Sequence, residues 1–288
     1  MNPARQPHGR MLATFLLAGL LSAILAGCAA DRLDSANRMA TDAGLSPQAI
    51  PTAHYTIATW SRIIDRRAPV SVYIEGDGEV YTASGDPTGD PTPRKALGLY
   101  LATLDPSPNV VYIARACQFI HSDCQPDDWT TRRFSEPMIV AVDQAIGHLV
   151  RPDQAINLVG YSGGAALAVV IAARRHGVIS LRTVAGNLDP VGVNRLHGAS
   201  ENLVVPDILA TARRLPPLLS QVHYVGRTDK IVPPMIAETY AKAVGHQACL
   251  RIRSVDANHK DGWVEAWPKL VGNSFGCIAP SNPMVEDK

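Results

Sequence analysis

The chain has 288 residues, with 27 Lys+Arg against 26 Asp+Glu and 46% hydrophobic residues. That apolar content excludes disorder over most of the length, and a formal charge of +1 excludes the basic footprint of a nucleic-acid-binding surface. Charged residues make up only 18%, below the roughly 25% usual in soluble domains, which points to a membrane-directed piece.

Residues 1–27 are that piece. Arg5 and Arg10 precede an apolar run from Met11 to Gly27, the layout of a secretory signal. A retained anchor is the alternative, because the run is near the lower limit for spanning a ~30 Å hydrocarbon core. The run ends in Leu25-Ala26-Gly27-Cys28, which resembles the lipobox of bacterial lipoproteins. The resemblance implies cleavage before Cys28 and acylation of its thiol, with a lipid bilayer as partner. Two or three acyl chains anchor far better than one. Ala29, where an Asp is absent, implies the periplasmic face of the outer membrane over the inner. Without Arg5 and Arg10 the 27 basic residues fall to 25 against 26 acidic, a charge of −1.

Residues 28–50, rich in Ala, Asp and Ser, read as the lipidated N-terminus and a tether with one short helix. From 51 to 288 strands and helices alternate. Strands are predicted at His54–Trp60, Val70–Glu75 and Asn109–Ala114, with a turn-rich loop over 76–93 and a helix at Lys95–Leu104. A helix at Glu136–Val150 leads to a strand at Ile156–Val159 and an Ala-rich helix at Gly164–Arg175. Strands at Val178–Val184, Gln221–Val225 and Cys249–Val255 follow. This alternation predicts an α/β fold, a mostly parallel sheet with helices on both faces. Residues 187–219 fit the pattern least and are expected to form a small cap.

An exported chain permits disulfides. Cys117, Cys124, Cys249 and Cys277 form an even set with three possible connectivities. Short-range closure favours Cys117–Cys124 and Cys249–Cys277. No Cys-x-x-Cys or His-Glu-x-x-His occurs, so no metal site is expected.

The chemistry lies at Gly160-Tyr161-Ser162-Gly163-Gly164. This is Gly-x-Ser-x-Gly between a predicted strand and a predicted helix, the context of a nucleophile elbow. Ser162 needs a base to take its proton, and in this architecture the acid and then the His follow the Ser in chain order. Asp229, in Gly226-Arg227-Thr228-Asp229-Lys230-Ile231-Val232-Pro233, and His259, in His259-Lys260-Asp261-Gly262-Trp263, meet that order after the last two predicted strands. Asp189 is the rival acid, following the preceding strand. His121 and His197 are candidates to line a substrate cleft. The Gly163 amide is the first oxyanion donor. The second is the amide of Asp77, or of Gly78, in Glu75-Gly76-Asp77-Gly78. A carboxylate beside an oxyanion is harmful unless paired, which leaves the role of Glu75 open. Arg132 and Arg133 are read as salt-bridged to a core-rim acid such as Glu75 or Asp77, with binding of a substrate anion as the alternative.

These segments, with Trp129-Thr130-Thr131-Arg132-Arg133-Phe134 and Thr183-Val184-Ala185-Gly186-Asn187-Leu188-Asp189, resemble bacterial α/β-hydrolase-fold lipoproteins over roughly residues 50–278. The resemblance implies a membrane-anchored, esterase-like serine hydrolase with a Ser-Asp-His triad. Its substrate would be a small acyl ester, thioester or amide, and it would use no cofactor. The alternative is a non-catalytic envelope lipoprotein that binds a ligand or partner with the same fold.

Overall fold

In the computed structural model, residues 31–272 are described apart from 123, 200–201 and 246–248. The signal segment, Cys28 and Cys277 lie outside the described residues. Eight strands form one sheet: β1 (Ser46–Pro51), β2 (Thr56–Ile63), β3 (Val70–Ile74), β4 (Asn109–Ile113), β5 (Ile156–Tyr161), β6 (Val178–Val184), β7 (Ser220–Gly226) and β8 (Leu250–Val255). Their order is β1-β2-β4-β3-β5-β6-β7-β8. β1 and β2 pair antiparallel, as do β2 and β4, and every later pairing is parallel. β3 and β4 are buried at every position, as expected for apolar, β-branched runs covered on both faces.

One face carries α4 (Glu136–Leu149), α5 (Gly164–Arg174), α7 (Ile208–Ala212) and α8 (Met235–Val244). Met138, Ile146, Val169, Ile208 and Tyr240 from these helices join one core. The other face carries a helix over residues 31–42 (α1), α2 (Leu97–Thr103) and α9 (Trp263–Leu270). There Ala36, Ala40, Leu99, Trp263 and Trp267 pack with Trp60, Tyr73 and Tyr112 of the sheet.

Two expectations change. The segment expected as a tether is α1 followed by β1, an edge strand that pairs with β2 in register from Ser46↔Ser61 to Pro51↔Thr56. Trp60 Nε1 donates to Asn37 Oδ1 (2.9 Å) and Arg62 Nη1 to the Ala43 carbonyl (2.6 Å), which lays α1 along β2. Small residues, Ala36 and Ala40, let the helix lie close to the sheet. The expected cap over 187–219 is shorter. α7 with Leu215 and Leu219 belongs to the core, as does Val193 of α6 (Pro190–Leu196), with Leu203 and Val205 packed against it. Pro206, Pro216 and Pro217 lie on either side of α7.

Cys117 and Cys124 are joined, with Cα atoms 5.9 Å apart. Cys249 is also disulfide-bonded. No helix among the described residues is long and apolar enough to cross a membrane.

Candidate active site

The parallel order puts β3 beside β5, so the loop after β3 and the turn after β5 meet at the carboxyl edge of the sheet, where such folds bind ligands. Ser162 occupies that turn with φ +47°, a left-handed conformation costly for a side-chain-bearing residue. Two close approaches explain its glycines. A Cβ on Gly160 would stand 2.6 Å from Ala165 Cα, and one on Gly164 would stand 2.4 Å from the Ile74 carbonyl oxygen. The turn is held by Ser162 N donating to the Val184 carbonyl (3.0 Å) and by Asn187 N donating to the Ser162 carbonyl (2.8 Å).

Ser162 Oγ lies 3.0 Å from His259 Nε2, and His259 Nδ1 lies 2.8 Å from Asp229 Oδ2. An ionised carboxylate only accepts, so Nδ1 carries its proton toward Asp229 and Nε2 is free to accept from the serine. Asp229 follows β7. Its Oδ1 accepts from Ile231 N and Val232 N, both at 2.8 Å. That fixes the carboxylate before it meets the imidazole. His259 follows β8, and its carbonyl accepts from Tyr161 OH (3.1 Å). Burial pushes the Tyr161 phenol well above its ordinary value, so it stays a donor.

Among the described residues, the amides of Gly163 and Asp77 make no hydrogen bond. Asp77 itself sits against the elbow, and its carboxylate is doubly paired. Arg115 Nη1 donates to Oδ1 at 2.8 Å, and Arg133 Nε lies 3.3 Å from Oδ2. Both guanidiniums flank the Phe134 ring, at 5.3 and 5.2 Å from its centroid, and Arg115 also donates to the Arg133 carbonyl. Burial lowers the Arg115 pKa, while Asp77 acts against that fall. Gln118 Nε2 donates to the Gly76 carbonyl (2.9 Å) and Gln118 Oε1 accepts from Arg115 N (3.1 Å). The Cys117–Cys124 loop thereby supports the loop after β3.

Glu75 points away from the elbow into the α2 face. Its carboxylate accepts from Gly76 N (2.9 Å), Gly98 N (3.2 Å), Leu99 N (3.3 Å) and Tyr112 OH (2.9 Å). Burial raises its pKa in spite of these four donors. Glu75 is a structural acid joining β3, β4 and α2. Arg132 pairs with Asp128 (3.0 Å) and Arg133 with Asp77, the core-rim salt bridges expected of them. Asp189, the rival acid, caps α6 by accepting from Gly192 N (2.9 Å). His121 lies 3.3 Å from Asp90, and His197 Nε2 lies 2.8 Å from the Ile231 carbonyl oxygen, at the edge of the acid loop. Cys117, Cys124 and Asp128 bring potential ligand atoms within 4.8 Å, but both sulfurs are committed to the disulfide.

Sequence reasoning missed Arg115 and Gln118. The signal was there, since Arg115 is a basic residue at the end of the buried run Val110–Ala114, where a charge must find a partner.

No protein-family model matches the sequence, and no curated protein is similar to it. Solved structures are similar in fold. An esterase of Pyrococcus furiosus aligns with TM-score 0.57 at 14% identity, over 81% of this chain and 91% of that one. The fold is that of the α/β-hydrolases. Est1E from Butyrivibrio proteoclasticus shares it with TM-score 0.53 and 14% identity, over 78% of this chain and 95% of its own. A membrane phospholipase A, described as a bacterial virulence factor, aligns over 92% of this chain and 98% of its own, with TM-score 0.55 and 15% identity.

Proposed function

We propose that the protein is a membrane-anchored serine hydrolase of carboxylesterase type. The observation that carries this reading is the line of contacts from Ser162 Oγ through His259 to Asp229, at 3.0 and 2.8 Å, on an elbow strained at the nucleophile. Esterases and a phospholipase among the proteins of like fold support it.

In the first step His259 Nε2 accepts the Ser162 proton as Oγ bonds to the acyl carbon. The carbonyl oxygen takes up negative charge facing the Gly163 and Asp77 amides. His259 then passes its proton to the leaving alkoxide, which departs as the alcohol, and the acyl group stays on Oγ. Water attacks the acyl-enzyme, giving its proton to His259. The carboxylic acid leaves and Ser162 regains a proton. Asp229 orients the imidazole and stabilises its cationic form.

A fluorophosphonate probe tests this. Labelling should map to Ser162, and Ser162→Ala should abolish both labelling and hydrolysis of short acyl esters. An unlabelled serine together with unchanged ester turnover in Ser162→Ala would reject the reading. Anchoring is tested separately by mass spectrometry of the mature N-terminus, where acylated Cys28 is expected.

A further inference from the structure

The direction of α1 places the start of the folded domain on the catalytic edge. At the helix C-terminal end, Arg62 donates to the Ala43 carbonyl and to the carbonyls of Asp105 (2.8 Å) and Ser107 (2.9 Å). Those two residues precede β4, so this end lies at the amino edge of the parallel strands. At the other end, Arg32 Nη1 donates to the Thr92 carbonyl (2.7 Å) and lies 3.4 Å from Asp90 Oδ2. Thr92 Oγ1 in turn accepts from Phe119 N (2.8 Å), and a Cβ on Gly78 would stand 2.0 Å from the neighbouring Pro91 carbonyl oxygen. Arg32 therefore sits beside the loop that carries Asp77. Three peptide units separate Cys28 from residue 31, a reach of at most about 11 Å.

The same edge holds most of the exposed apolar side chains. Of the ten large hydrophobic residues that stay exposed among the described residues, Tyr81, Val191, Leu196, Val204, Ile231 and Met235 lie in the loops and helix ends that follow β3, β6 and β7 at their carboxyl ends. Val204 is tied to the loop after β4 through its amide on the Thr131 carbonyl (2.8 Å), and α6 is tied to the acid loop through His197 and Ile231. Two of the apolar residues follow exposed cations directly, in Arg195-Leu196 and Lys230-Ile231. A cation beside an exposed apolar side chain suits the boundary between lipid headgroups and acyl chains.

We propose that this catalytic edge docks on a phospholipid bilayer, and that the substrate is an acyl ester carried in that bilayer. The proposal rests on the serine-hydrolase reading and on acylation of Cys28. The anchor and the apolar rim then share one side of the domain, so the tethered enzyme faces the membrane with its open site. The acyl chains reach the site from the lipid phase, and the alcohol product leaves at the headgroup level.

The acylated full-length protein, reconstituted in phosphatidylethanolamine/phosphatidylglycerol vesicles, tests this with two esters. One is a fluorogenic phospholipid in the vesicle and the other a short water-soluble ester. Leu196→Ser with Met235→Ser should lower turnover of the vesicle ester at least tenfold and leave the soluble ester within about twofold. Equal losses on both esters, or wild-type turnover of the soluble ester alone, would overturn the proposal. Absence of turnover on either ester with no labelling of Ser162 overturns the hydrolase reading and the proposal with it. An independent measurement does not need catalysis. Met235→Trp should add fluorescence that brominated lipid quenches, and Leu218→Trp, at the opposite edge, should add fluorescence that it does not quench. Equal quenching at the two positions counts against docking.

Discussion

The Asp77 carboxylate fills the space that a side chain on Gly163 would need: a Cβ there would stand 1.9 Å from Asp77 Oδ1. A negative charge is thus packed against the residue whose amide is the first oxyanion donor in the proposed reaction. Two largely buried guanidiniums, Arg115 and Arg133, hold that charge. The cluster of three side chains carries one net positive charge at the point where the proposed reaction would create a negative one.

Gly163→Ala should displace Asp77 and with it the loop after β3. Loss of one oxyanion donor costs about 10²–10³-fold in kcat, so kcat for a short ester should fall by about that factor. Steady-state kinetics, with circular dichroism to confirm folding, checks this outcome. An unchanged kcat would count against the Asp77 amide as the second oxyanion donor.

Asp77→Asn keeps the backbone amide and removes the counter-charge. Breaking a buried pair by deleting one partner costs about 3–5 kcal/mol, and two guanidiniums lose their partner here. Asp77 is one-fifth exposed, so the lower end of that range is expected in urea unfolding.

Asp229→Asn should leave the fold intact, because Ile231 N and Val232 N can still donate to the amide oxygen. It would lose the fixed Nδ1–H tautomer of His259. A loss of about 10⁴-fold in kcat is expected, the size of the equivalent change in a well-studied serine protease. A loss below tenfold would show that another acid orients the imidazole.

His223 supplies a pH prediction. It is fully buried in β7, with Nδ1 2.9 Å from Thr183 Oγ1 and its ring against Tyr240. Burial lowers its pKa from 6.5 to about 3. A depressed folded pKa means that the unfolded state binds the proton first as pH falls. The stability contribution is therefore complete above about pH 6.5 and declines as pH falls toward 3. Between pH 7 and pH 5 the decline from this group is about 2 kcal/mol. In His223→Gln that part of the pH dependence should vanish, as read from urea midpoints at the two pH values.

Joint replacement of Cys117 and Cys124 by Ser opens a short loop. Loop-closure entropy for its sequence separation of 7 predicts a loss of about 2–3 kcal/mol. Gln118, which holds the Gly76 carbonyl, lies inside that loop, so kcat should fall along with the unfolding midpoint.

Much of the architecture was legible from the chain because its signals are local. Val178–Val184 is a strand at the predicted bounds, and Ser162, Asp229 and His259 follow strands in the expected order. What escaped sequence reading depends on distant partners. β1 contains two prolines and exposes most of its side chains, and it forms because β2 offers it an open edge. α9 carries Pro268 inside the helix, against local propensity, yet Trp263 and Trp267 anchor it in the core. Arg115 and Gln118 acquire their roles only when the disulfide loop folds back over Gly76. Asp77 was expected for its amide and as one possible partner of Arg133, and what was not legible is that Arg115 joins the same carboxylate.

The N-terminal segment also determines where this domain can be divided. A recombinant form beginning at residue 51 would delete α1 and all of β1 but Pro51. Trp60, only 1% exposed, would lose the helix that covers it, and β2 would become an open sheet edge, a template for pairing between molecules. Residues 31–51 are the seal on the first edge of the sheet, so a truncation that keeps the folded domain intact has to keep residue 31.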